Sequence, residues 1–143
     1  MKTGEKKKKL AGVMAWPVSH SLSPQLHSYW LAKYGINGSY LPLAVRPELF
    51  RQTLKNLPNT AFIGVNITLP HKETALEVVD IADANAHRIG AVNTITVKEN
   101  GMMVGSNTDS YGFLENIRDI YPDWQASAGP AVVLGAGGAA RGI

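Results

Sequence analysis

The chain has 143 residues, 45% of them hydrophobic and 17% charged, with no cysteine and a formal net charge of +3. That composition belongs to a soluble globular protein of one domain or slightly more, and it excludes disorder, collagen and a disulfide scaffold. Without cysteine there is no thiolate nucleophile, no Cys-based zinc site and no redox switch, and nothing demands an oxidising compartment, so the cytoplasm is the expected location.

The positive charge is concentrated at the start. Lys2, Lys6, Lys7, Lys8 and Lys9 stand against a single acid, Glu5, so the rest of the chain is slightly negative and has no basic footprint for nucleic acid. Residues 1–10 read as a lysine-rich disordered tail. Together with the apolar residues that follow they imitate a secretory signal, but Pro17 interrupts the apolar stretch, and His20-Ser-Leu-Ser-Pro24 stands where a small-x-small cleavage site belongs. No apolar run approaches the roughly 18 residues needed to span a bilayer.

Residues 11–16 form a short apolar run ending at Pro17, which predicts a buried first strand. Ser23-Pro24 then supplies a hydroxyl N-cap with proline at N1, and Leu26, Trp30 and Tyr34 recur at helical spacing before Gly35. Residues 39–45 predict a second strand, residues 47–57 a helix with Phe50, Leu54 and Leu57 on one face, and residues 62–69 a third strand. Phe62-Ile-Gly-Val65 is apolar at successive positions, as a strand covered by helices on both faces requires, so the pattern predicts an α/β fold with a parallel sheet.

A helix from about residue 72 carries Ala75, Leu76 and Val79, and residues 83–88 make a second, short one ending at Gly90. Residues 91–98 and 102–107 read as strands flanking Glu99-Asn100-Gly101; Asn-Gly marks a tight hairpin whose two central residues both need positive φ, so the sheet is mixed. Residues 110–121 are predicted helical, with Phe113, Ile117 and Ile120 as the buried stripe. Residues 122–129 are a polar, turn-rich linker, and residues 131–134 a buried strand running into a glycine-rich loop. Residues 11–121 are therefore one domain, and residues 130–143 the start of a second that is cut off at Ile143.

The glycine-rich stretch fits G-x-G-x-x-G/A as Gly135, Gly137 and Ala140, with a strand before it as dinucleotide binding requires. Glycine lets the backbone turn sharply and approach a pyrophosphate, whose charge then meets a helix N-terminus; a plain tight turn is the alternative. The acidic or arginine-bearing site that separates NAD from NADP would fall beyond the chain.

Ser21 and Ser23 are two residues apart, so in an extended segment both hydroxyls point to one side, toward a helix N-terminus with spare amide donors, an arrangement that suits a small carboxylate. The spacing is served equally by Ser23 capping the helix while Ser21 faces water. Asn66 and Thr68 lie on one face of the third strand, with Lys72 just beyond its C-terminal end, where crevices in α/β sheets lie. Polar groups there either bond to backbone or line a wet cleft. Lys72 is then a candidate acid/base, or an ordinary lysine in a first helical turn, a poor location for a cation. Asn93 and Asp109 sit at strand or helix ends, where each can equally be a turn or cap residue. His20, His27, His71 and His87 form no H-x-x-x-H pair, and no metal is assigned.

Ser21-Leu-Ser23, Asn66-Ile-Thr-Leu-Pro-His-Lys72, Gly90-Ala-Val-Asn-Thr94, Asn107-Thr-Asp109 and Gly135-Ala-Gly-Gly-Ala-Ala-Arg141 together resemble the shikimate dehydrogenase family, over residues 11–143. The resemblance implies a substrate domain, a three-layer αβα open sandwich with a mostly parallel, mixed sheet, joined to a Rossmann domain with shikimate between them. It implies that Ser21 and Ser23 bind the substrate carboxylate and that Thr68, Lys72, Asn93 and Asp109 contact ring hydroxyls, with Lys72 and Asp109 as the catalytic pair. Gly135, Ala136, Gly137, Gly138 and Ala139 would hold the cofactor, usually NADP in this family. The expected partner is small-molecule substrate, shikimate or 3-dehydroshikimate; nucleic acid and membrane are not expected, and a homodimer is left open. With most of the cofactor domain absent, the chain is expected to be inactive alone. The alternatives are a quinate/shikimate dehydrogenase of the same family and a non-catalytic metabolite-binding module.

Overall fold

The computed structural model describes residues 8–142. The predicted lysine-rich tail lies outside the described residues up to position 7, and Lys9 and Leu10 belong to a strand. That strand, β1 (Lys9–Ala15), begins two residues earlier than predicted because it pairs in parallel with β2 (Gly38–Ala44) from Lys9 onward. Between them runs α1 (Ser23–Lys33), and α2 (Pro47–Lys55) leads to β3 (Phe62–Ile67). There follow α3 (Lys72–Val78), a two-residue strand β4 (Ile81–Ala82) that the sequence did not suggest, and α4 (Ala84–Ile89). The hairpin β5 (Thr94–Val97) and β6 (Met103–Ser106) precedes α5 (Asp109–Ile120).

The six strands form one sheet in the order β2-β1-β3-β5-β6-β4. β1 is parallel to both β2 and β3, and β4 is parallel to β6, while β5 runs antiparallel to β3 and β6. The predicted mixed, mostly parallel α/β sheet is therefore present. Pro42 falls on the edge strand β2, where its missing N–H costs no ladder bond. In central β1, Val13, Met14 and Ala15 are buried in succession, as layers on both faces require. One face packs Met14, Val65, Ile67 and Ile95 against Phe50, Leu54 and Leu57, the helical face predicted for residues 47–57. The opposite face carries Ala11, Tyr40, Asn66 and Thr94 against His27 and Leu31 of α1.

Three expectations need correction, and α1 shows a buried face that the sequence left open. Only Gly101 has positive φ (83°) in the hairpin, because the loop holds three residues: Gly101 N–H donates to Lys98 O at 2.9 Å and Lys98 N–H to Met102 O at 2.8 Å. A tight turn followed by a left-handed glycine leaves Asn100 at ordinary φ. In α1 the stripe Leu26, Trp30 and Tyr34 is exposed and the helix turns Pro24, His27 and Leu31 inward; with apolar residues nearly all round, its period selects no face. Phe113 and Ile120 of α5 are exposed and Ile117 is half-buried, leaving Ser110 as the helix's buried residue. Finally, residues 131–134 form no strand and are exposed, Leu134 to 95%. Among the described residues no strand pairs with them, and unpaired backbone groups then remain with water.

Candidate functional site

The carboxyl ends of β1 and β3, the amino end of the antiparallel β5 and the start of α5 meet at one end of the sheet. Each of the first two strands leaves the sheet through a cis prolyl bond, Trp16–Pro17 and Leu69–Pro70, and Trp16 N–H donates to Leu69 O at 3.2 Å, tying the two exits together. The resulting cleft has a volume of about 560 Å³, within the range of small-molecule sites. Ser21, Ser23, Thr68, Lys72, Asn93 and Asp109 all line it. The glycine-rich residues 135–139 do not.

Lys72 opens α3, and its ammonium has been given a carboxylate: Nζ lies 2.7 Å from Asp109 Oδ2. This answers the poor placement of a cation at a helix start. The pair is partly enclosed, with side chains 19% and 36% exposed. Asp109 itself is fixed from two sides. Asn93 Nδ2 donates to Asp109 Oδ1 at 2.7 Å, and Asp109 N–H donates to Asn107 Oδ1 at 3.0 Å. Asn107 is buried and donates to Ala91 O at 2.9 Å, which anchors the α5 start to the β5 approach. Neither Asp109 nor Asn93 is a helix cap by side chain; α5 begins after Thr108 without one.

Ser23 is the first residue of α1 rather than its cap, which is Leu22. Ser21 Oγ accepts the Ser23 N–H at 3.3 Å, so the two serines are coupled by a local turn at the mouth of the helix, and both face the cleft. Thr68 is held by its backbone, N–H to Met14 O at 3.1 Å, leaving its hydroxyl to the cleft wall. The cleft is bordered both by neutral hydroxyls, those of Ser21, Ser23 and Thr68, and by the Lys72–Asp109 ion pair. This is an arrangement that can hold an anion by neutral donors and move a proton a few ångströms away.

Three cleft residues, Trp16, His27 and Asn66, and Thr94 behind them were not assigned roles from the sequence. Trp16 forms a wall, with the Arg46 guanidinium over its ring at 5.3 Å. His27 stacks on Tyr40, centroids 4.0 Å apart, and burial lowers its pKa, which favours the neutral ring. Asn66 and Thr94 complete a hydrogen-bonded row that runs from Tyr40 to Asn93. The signals were there: His27 is one helical turn beyond Ser23, and Asn66 and Thr94 occupy the polar phase of otherwise apolar strands. His71, beside Lys72 in sequence, points the other way: it is buried, stacked on Phe50, with Nε2 2.7 Å from Val45 O, and serves the core.

Fold and cleft together define an α/β domain with a polar, ligand-sized cleft at the carboxyl end of its sheet and a lysine–aspartate ion pair in the crevice. The family described as the shikimate dehydrogenase substrate binding domain matches residues 13–95. The NADP(+) shikimate dehydrogenase of Rhodospirillum rubrum is 56% identical over 137 residues, 96% of this chain and 48% of that protein. Among solved structures, shikimate dehydrogenase from Aquifex aeolicus superposes with a TM-score of 0.88 at 34% identity, covering 97% of this chain and 51% of that one. The Thermus thermophilus enzyme in complex with shikimate does so with a TM-score of 0.85 at 43% identity, covering 94% and 50%. The chain belongs to the shikimate dehydrogenase family. It spans about half the length of the curated relatives it matches.

Proposed function

We propose that this chain is the substrate-binding half of an NADP-dependent shikimate dehydrogenase, the oxidoreductase that reversibly reduces 3-dehydroshikimate to shikimate in aromatic amino-acid biosynthesis. The observation that carries the reading is the gathering of Ser21, Ser23, Thr68, Lys72, Asn93 and Asp109, from four separate stretches of chain, around one cleft. The Thermus thermophilus relative crystallised with NADP(H) and shikimate supports it.

In this reading Ser21 and Ser23 hold the substrate carboxylate, each hydrogen bond to the charged group being worth roughly 1.5–3 kcal/mol. Thr68 and Asn93 position the ring hydroxyls. Reduction of a ketone to a secondary alcohol needs a hydride at carbon and a proton at oxygen, and the proton passes between the substrate oxygen and the Lys72–Asp109 pair. A nicotinamide cofactor supplies or accepts the hydride when bound. Gly135, Ala136, Gly137, Gly138 and Ala139 would hold its diphosphate: Gly135 takes φ of 125°, and nothing lies within 4 Å of where a side chain would stand at Gly135 or Gly137. A phosphate can approach that backbone closely. No helix among the described residues is long and apolar enough to cross a membrane; cytoplasmic location and a homodimer belong to the same reading, the second being open to sedimentation.

The test is an NMR titration of this chain with shikimate, with quinate in parallel. Saturable shifts at the cleft, lost in a Ser21→Ala, Ser23→Ala double variant, are expected; no shifts at millimolar shikimate would sink the half-site. In a chain that includes the complete nucleotide-binding half, Lys72→Ala should lower kcat by about 10²–10⁴ with little change in binding. Unchanged kcat removes Lys72 from the chemistry.

A further inference from the structure

The charges that line the cleft cancel. Lys72 and Asp109 are its charged lining residues among those described, and they pair with each other at 2.7 Å. His27, the other titratable group in the wall, is held toward its neutral form by burial. A carboxylate entering the cleft therefore meets the Ser21 and Ser23 hydroxyls with no net positive charge from the lining, although an anion that leaves water needs charge or donors to replace its hydration.

A cation with no carboxylate of its own stands against one wall. The β1–β2 register continues past the end of β1: Ala15 faces Ala44, and Val45 N–H donates to Ala15 O at 3.1 Å. Arg46 therefore leaves β2 alongside Trp16, and its guanidinium lies over the indole, 5.3 Å from the ring centroid. The ion pairs among the described residues use Arg51, Lys72, Arg118 and Arg141, and none uses Arg46. Its position is also poor for a cation. Arg46 is the N-cap of α2, where the helix dipole is positive and where Ser, Thr, Asp or Asn is preferred. The indole face is what offsets this placement, and at an exposed site that gain is modest. Trp16 lines the cleft, and its backbone N–H is tied to Leu69 O at 3.2 Å, so ring and guanidinium together form one side of the opening.

We propose that Trp16 and Arg46 form a specificity-determining rim of the cleft. The indole is a surface on which ligand ring carbons pack, and the guanidinium stacked on it supplies the positive charge that the lining lacks, favouring a carboxylate ligand over its uncharged counterpart. The inference rests on the reading of the cleft as a site for a ring acid. With the guanidinium 5.3 Å from the ring centroid and a ligand in van der Waals contact with the other face, the two charges stand about 9 Å apart. At that range, in a site open to water, one unit charge changes the binding of an anion roughly threefold, and salt screens the effect away. Proton transfer stays with the Lys72–Asp109 pair, and the rim acts on capture of the ligand alone.

The experiment compares shikimate with its uncharged methyl ester by NMR titration of the 143-residue chain, at low ionic strength and in about 1 M salt, where the Debye length is about 3 Å. Arg46→Gln should weaken shikimate roughly threefold at low ionic strength, have no measurable effect in high salt, and leave the ester unchanged in both. Trp16→Ala should weaken both probes at either salt, as loss of a packing surface does. Equal weakening of the two probes by Arg46→Gln, weakening that persists in high salt, or no weakening at all overturns the proposal, as does a Trp16→Ala chain that binds both probes normally. Should neither probe bind the unsubstituted chain, the half-site reading fails, and the charge at the rim is decided on the free chain. With Trp30→Phe and Trp124→Phe in place Trp16 is the sole tryptophan, and its fluorescence is quenched with iodide and with acrylamide at matched ionic strength. A fall in iodide quenching alone in Arg46→Gln upholds the charged rim, and an equal change with both quenchers, or none, overturns it.

Discussion

Two helices of similar patterning, α2 and α5, end in opposite conditions. Phe50 and Leu54 of α2 are fully buried, at 0% exposure, against the sheet and α3. Phe113 of α5 is 43% exposed although Phe113, Ile117 and Ile120 recur at the same helical spacing. The difference lies in neighbours. Around α2 the chain supplies β1, β3 and α3, with the Arg51–Glu77 ion pair bridging the two helices at their rim. Beside α5 the continuing chain, residues 121–136, is exposed and forms no helix or strand. An apolar stripe records a capacity to pack; burial depends on whether another element reaches it.

The largest expected effect breaks the comparison directly. Phe50→Ala should cost about 3–5 kcal/mol in urea unfolding, because a fully buried ring leaves a cavity that neighbouring strands cannot fill. Phe113→Ala should cost far less, about 1 kcal/mol, since nearly half of the ring already lies in water. A cost of several kcal/mol at Phe113 would mean that the α5 stripe is covered in solution as the α2 stripe is.

A smaller effect sharpens the same contrast through pH. His71 stacks on Phe50 at 4.2 Å and donates through Nε2 to Val45 O at 2.7 Å. Burial lowers its pKa below the usual 6.5, outweighing that bond, so the packed layer holds it neutral. The unfolded chain takes up the proton first as pH falls. Stability is therefore complete above about pH 6.5 and declines as pH drops toward the folded pKa. His27, also lowered by burial, adds with the same sign. Urea midpoints measured from pH 8 to pH 5 should fall in the unsubstituted chain and fall less in His71→Gln. A slope unchanged by His71→Gln would assign the whole effect elsewhere.

Much of this was legible in residues 11–120 and little of it beyond. The strand positions followed from apolar runs, and the α2 face from Phe50, Leu54 and Leu57, because local periodicity and tertiary burial agree there. Ser21, Ser23, Thr68, Lys72, Asn93 and Asp109 were identifiable as polar residues at element ends, and one cleft gathers them. Tyr40 was not identifiable: its bond to Asn66 crosses an intervening strand, and nothing local in the sequence encodes the strand order β2-β1-β3. The two-residue β4 is too short to carry a period at all. Residues 131–134 had the composition of a buried strand and formed none, since pairing is supplied by a neighbour and not by composition.

The smallest expected effect concerns how the glycine-rich segment is attached to the packed domain. Arg141 Nε donates to Ile89 O at 2.7 Å, at the end of α4, and its Nη2 meets Glu73 Oε1 of α3 at 2.5 Å. A guanidinium at a helix C-terminus is well placed for the dipole, but both partners of the ion pair are substantially exposed, and such pairs contribute little to global stability. Arg141→Ala should therefore leave the urea midpoint nearly unchanged while raising amide exchange at residues 137–142 alone. Arg141→Lys should not restore protection, because a point charge with a flexible stem cannot meet a carbonyl and a carboxylate in the fixed fork that Arg141 uses. If exchange in that stretch is the same in all three chains, the segment is held instead by close packing, Gly138 against Ala91 and Gly142 against Ser110. The decisive variant would then be Gly138→Ala, whose added methyl meets the Ala91 side chain at 2.9 Å and has to push the segment away.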